Sequence, residues 1–117
     1  MAADYRTIIS KGWHGLTIVR LYEETIGHIA EEHVEFRLQL PSHLEGLMNA
    51  IAAPMAVHVS TTDPVRSVVL VSEGLTYSSD HVHVPVRIVS GTSGRVLTAY
   101  FSSGMYGGRL LWSARDE

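Results

Sequence analysis

Hydrophobic residues recur at every second position through much of the chain's second half, and that spacing predicts strands. From residue 81, Val82, Val84, Val86 and Ile88 fall on one side, with His81, His83, Pro85 and Arg87 on the other. This is the period-two signature of a half-buried strand. Val65 to Val71 is a compact β-branched run that Ser72, Glu73 and Gly74 interrupt. Ser90 to Gly94 has the composition of a turn. Arg95 to Phe101 predicts the next strand, with Val96, Thr98 and Tyr100 opposite Leu97, Ala99 and Phe101. Gly104, Gly107 and Gly108 mark a further turn before Leu110, Leu111 and Trp112. Together these segments predict an antiparallel meander of about four strands.

Upstream, Val34, Phe36, Leu38 and Leu40 alternate with Glu35, Arg37 and Gln39 and stop at Pro41, which predicts another strand. Residues 16–32 read two ways. Ile18, Tyr22, Ile26 and Ile29 form a helical stripe, but Leu16 to Tyr22 also suits a strand, the reading taken for 16–22. The best helix runs from Ser42 to about Val59, because Leu44, Leu47, Met48, Ile51, Ala52, Met55 and Val59 recur at three- and four-residue spacing. Ser42-His43-Leu44-Glu45 fits a capping box, with serine at N-cap and glutamate at N3. Pro54 removes one helical hydrogen bond and frees the carbonyl of Ala50, so the helix kinks or stops there.

Composition narrows the class. A chain of 117 residues with 45% hydrophobic content fits one folded domain spanning 1–117. Its net charge of −3 argues against nucleic acid as the main partner. Without cysteine there is no disulfide framework, thiolate nucleophile or zinc-thiolate site. No signal peptide is visible at the N-terminus and no apolar run approaches the ~18 residues of a membrane span, so a cytoplasmic protein with no membrane partner is expected.

Several residues could carry chemistry. Glu45 and Asn49, four apart, share a helix face: a carboxylate there could activate water, and an amide could orient it. The helix start carries free amides and the positive dipole end, and Gly46 would let a ligand approach the backbone. Glu45 equally serves as the closing residue of the capping box. Glu73 reads either as a cleft carboxylate or as a strand end or bulge. His81 and His83 point to one strand face, and with His58 would make a three-imidazole site; a solvated polar face is the commoner outcome of such spacing, and no metal is expected. No G-x-S-x-G elbow and no Walker-type phosphate loop is present.

Strand, Ala-rich helix and meander, with Gly46-Leu47-Met48-Asn49 at the helix and the run Ser90 to Ala99 (SGTSGRVLTA), resemble the hotdog fold of acyl-CoA thioesterases and dehydratases over residues 26–116. The resemblance implies an α+β domain with an antiparallel sheet wrapped around one central helix, working without a cofactor as a dimer or larger homo-oligomer. It implies an acyl thioester of coenzyme A or a carrier protein as ligand and hydrolysis as the reaction. Glu45 and Asn49 would then be catalytic, and His43, Gly46 and Glu73 would bind substrate. The chain departs from the family's patterns: His43-Leu44-Glu45-Gly46 only partly echoes the His-Gly-Gly of one branch, and Pro41 and Glu73 stand near the threonine and histidine positions of another. The alternatives are a non-catalytic oligomeric binding or assembly module, or a small accessory or inhibitor protein.

Overall fold

The alternating segments build a sheet, and the two helical stripes cover one of its faces. The computed structural model describes residues 4–73, 81–103 and 106–114. In chain order they form β1 (Tyr5–Ile9), β2 (Ile18–Tyr22), α1 (Glu23–Glu32), a 3-10 turn (Val34–Phe36), α2 (Pro41–Ala52), β3 (Ala56–Val59), β4 (Ser67–Ser72), β5 (His81–Ser90), β6 (Ser93–Val96), β7 (Tyr100–Ser102) and β8 (Leu110–Ser113). The strand order is β1-β2-β6-β5-β4-β3-β8, and β7 pairs with β5. Gly74 and Gly104, read as a strand break and part of a turn, lie outside the described residues.

This architecture corrects the expected one. The sheet is mixed rather than antiparallel, because β2 runs parallel to β6 with Arg20 opposite Arg95. Two short helices, of 10 and 12 residues, replace the single long helix around which a sheet was to wrap. Val19, Leu21, Val57, Leu70, Val82, Val84 and Val96 meet Ile29, Phe36, Leu47 and Ile51 in one core.

The expected helix over 42–59 ends at Ala52, and its last residues form β3 instead. Pro54 cannot continue the helix, but the carbonyls this leaves open are met from elsewhere in the chain. Ser72 donates to the Ala50 carbonyl at 3.1 Å and Ser10 to that of Ile51 at 2.9 Å. The Lys11 amide donates to Ala52 at 2.8 Å. At the other end no side chain caps α2: the N-cap is Leu40, and Pro41 takes the first helical position, which suits its fixed φ. Ser42 and Glu45 therefore sit two positions too deep for the expected capping box.

The expected strand 34–40 is also replaced. Val34 is 67% exposed, and only Phe36 and Leu38 of the alternating set are buried. A 3-10 turn followed by Arg37 in the left-handed region (φ 51°) folds both into the core. The segment 95–101 splits into β6 and β7 along one edge of β5. Pro85 explains the gap: its carbonyl accepts from Leu97 at 2.9 Å, but it has no N–H to offer the same edge.

Candidate functional site

Alternation in β3, β4 and β5 sends one set of residues to the core and the other to the opposite face. There Ala56, Val69 and Val71 form a second small cluster with Met55 and Tyr106. His58 and His83 share this face and are 6% and 2% exposed. Tyr106 closes over it, held at its hydroxyl by the Thr61 amide and by the Thr61 hydroxyl, each at 2.8 Å.

His58 is fixed by the backbone. Its Nδ1 lies 2.9 Å from the Gly108 carbonyl, which only accepts, so Nδ1 carries the proton and donates. In the neutral ring Nε2 then holds a lone pair, and this buried atom has no hydrogen-bond partner among the described residues. Glycine is required at 108, since a Cβ would run into the Val59 carbonyl. Tyr106 packs edge-on to His58, with centroids 5.9 Å apart, and to His83 at 5.8 Å. His83 also meets Tyr100 at 5.2 Å.

Beside His58 opens a cavity of about 400 Å³ bounded by β3, β5 and β8. Met55, Ala56 and Leu110 give it apolar walls, and His58, His81 and Glu73 supply the polar groups. His81 Nδ1 is also buried with no partner among the described residues, whereas Glu73 is exposed at the end of β4. Burial pushes the Tyr100 phenol above its ordinary value, and the neighbouring Tyr106 adds to the shift. Burial acts upward on Tyr106 too, but the hydrogen bonds from Thr61 and Ser60 outweigh it and the net shift is downward.

The residues expected from sequence do not converge. Glu45 and Asn49 are exposed on α2. Glu45 lines a different cavity of about 450 Å³ with Arg6, Leu38 and Met48. Gly46 is the sixth residue of α2, so its amide is beyond the four that a helix start leaves free. His43 Nδ1 donates to the Phe36 carbonyl at 2.9 Å and ties α2 to the preceding turn. Glu73 alone joins the His58 cavity. The three-imidazole arrangement does not form either: among the described residues no group of three histidine, aspartate or glutamate side chains is placed to hold a metal ion. His83 packs among tyrosine rings instead.

His58 and His81 were visible in the sequence as possible partners, but only as ligands for an ion. The expected helix over 42–59 kept His58 out of the sheet, so its place beside His81 in one cavity was not legible. Comparison with known protein families, with characterised proteins and with solved structures finds no match to this chain.

Proposed function

We propose that this protein binds a small, largely apolar molecule in the cavity between β3, β5 and β8, with His58 as the residue that grips it. The observation that supports this is a buried Nε2, unpartnered among the described residues, on a ring whose other nitrogen is fixed by a backbone carbonyl. A buried acceptor left unpaired costs roughly 1–3 kcal/mol, which a ligand donor or water recovers. Apolar walls with a few convergent polar groups are the usual make-up of a small-molecule site. No described helix is long and apolar enough to cross a membrane.

An acyl thioester, the ligand class suggested by the sequence, suits this site better than the start of α2. Its acyl chain would lie against Met55, Ala56 and Leu110, and His58 would take the proton of an attacking water as general base. Glu45 and Asn49 have no part in this reading.

Two measurements test it. Ring 15N shifts in long-range NMR spectra report the His58 tautomer, and screening small apolar amides and alcohols should perturb His58 and His81 together. Hits that leave both rings unmoved would sink the binding reading. Thiol release from an acyl-CoA panel tests hydrolysis: turnover should fall roughly 10²-fold in His58→Gln and hold in Glu45→Gln. A binder with no turnover in the parent leaves only the binding reading standing.

A further inference from the structure

Along β5, six residues from His81 and so about 20 Å away, the same outer face of the sheet changes character. Arg20 of β2 lies opposite Arg95 of β6, and Arg95 lies opposite Arg87 of β5. Three arginines thus stand in one row across three neighbouring strands, at spacings of about 4.8 Å between strands. Like charges directly opposite each other destabilise a sheet. Arg87 has a carboxylate nearby, Asp63 at 3.6 Å. Among the described residues none lies within ion-pair distance of Arg20 or Arg95. Glu24 shares a separate cleft with Arg95, and Glu23 is taken by Arg6 at 3.1 Å.

Aromatic rings fix the two guanidinium groups instead. Arg20 lies over Tyr5, 4.8 Å from the ring centroid, and Arg95 over Tyr22 at 4.6 Å. The two tyrosines pack on each other at 5.2 Å. Stacking of this kind orients the planar fork and reduces the freedom lost when it binds. Between the two arginines a cleft of about 320 Å³ is lined by Arg20, Arg95, Tyr22, Ser90 and Ser93, among others. Ser90 and Ser93 face each other across the turn from β5 to β6, which Gly91 makes possible at φ 55°. Two oriented guanidinium forks and two hydroxyls are the donor set that phosphate oxygens require.

We propose that this cleft is a binding site for a compact phosphate-bearing anion, a diphosphate or the phosphoryl group of a phosphate ester. Arg20 and Arg95 supply bidentate contacts, the serine hydroxyls complete them, and the bound charge removes the repulsion within the row. Arg87, held by Asp63, contributes field rather than contact. A net charge of −3 favours this over a long polyanion, whose binding draws on an extended positive surface. The site is separate from the His58 cavity and stands or falls independently of it.

Calorimetric titration of the full chain with inorganic pyrophosphate at low salt tests the assignment. Saturable one-to-one binding is expected, weakened about 10- to 100-fold in Arg20→Gln and in Arg95→Gln, the range for losing a charge-assisted contact. Arg95→Lys should retain part of the affinity, since it keeps the charge and loses the fork. Arg109→Gln, an exposed arginine next to β8, should bind as the parent does. Thermal melts of each variant show whether it is folded. Absence of saturation by about 10 mM pyrophosphate overturns the proposal. So does equal weakening by Arg109→Gln, which would mark a diffuse charge effect. A short oligothymidylate binding more than about tenfold tighter than pyrophosphate would also overturn it, in favour of a single-strand stacking platform.

Discussion

Tyr100 and Tyr106 stand near the same histidine and yet shift in opposite directions, which shows how local the controls are. Burial dominates at Tyr100 and disfavours the phenolate. At Tyr106 burial is outweighed by donors from Thr61 and Ser60, which favour the charged oxygen. In an ultraviolet titration Tyr106 should therefore ionise before Tyr100, and Tyr106→Phe should remove the earlier of these two steps. The stability signs follow. Below the unfolded value near 10, native Tyr106 has already lost a proton that the unfolded chain retains, so its contribution to stability grows as pH rises through that window. Above it, native Tyr100 keeps a proton that the unfolded chain has released, so its contribution falls. If both phenols titrate together in the native protein, the Thr61 contacts do not hold in solution.

At the scale of elements, α2 shows that the end of a helix can be decided far along the chain. Pro54 forbids continuation, but Ser10, Lys11 and Ser72 make the stop stable by satisfying the last carbonyls. Ser72→Ala should cost about 1–3 kcal/mol in urea unfolding, because it strands a buried carbonyl. On the same helix Glu45→Gln and Asn49→Ala should stay within about 0.5 kcal/mol, since both side chains are exposed and neither caps it. Equal losses at all three positions would mean that α2 is not ended this way. Part of this was legible in the sequence: the stripe through Leu47 and Ile51 correctly marked the buried face, and the proline correctly marked a problem at Ala50. The partners of that carbonyl were not legible, because nothing local to residues 41–54 names Ser72.

Over the whole molecule, one sheet carries two separate outer-face sites because β5 is long enough to reach both. Its histidine end borders an apolar cavity, and its arginine end joins a charged row. A double-mutant cycle isolates the repulsion in that row, since each arginine's stacking on its own tyrosine cancels. Arg20→Gln and Arg95→Gln should show an unfavourable coupling of about 0.2–1 kcal/mol at low salt. At about 1 M salt, where screening acts within ~3 Å, the coupling should vanish. A favourable coupling at low salt would mean that the two side chains do not stand side by side.

The sequence by itself determined where half of the described strands run and which side of β5 faces the core. β2, β4 and β8 follow from their apolar composition and β5 from its two-residue alternation, because side-chain direction in a strand is a local property. It also determined the turn near Gly91 and the buried stripe of α2. Tertiary structure decided the rest. Alternation alone marked 34–40 as a strand, yet among the described residues no neighbour pairs with it and the core takes Phe36 and Leu38 through a turn instead. Helical spacing reached past Pro54 to Val59, yet β4 and β8 offered those residues a place in the sheet. The parallel pairing of β2 with β6 aligns arginines distant in the chain, and the fold of residue 108 onto β3 fixes the His58 ring. Both depend on which distant backbone groups find partners, and that is settled only when the chain closes on itself.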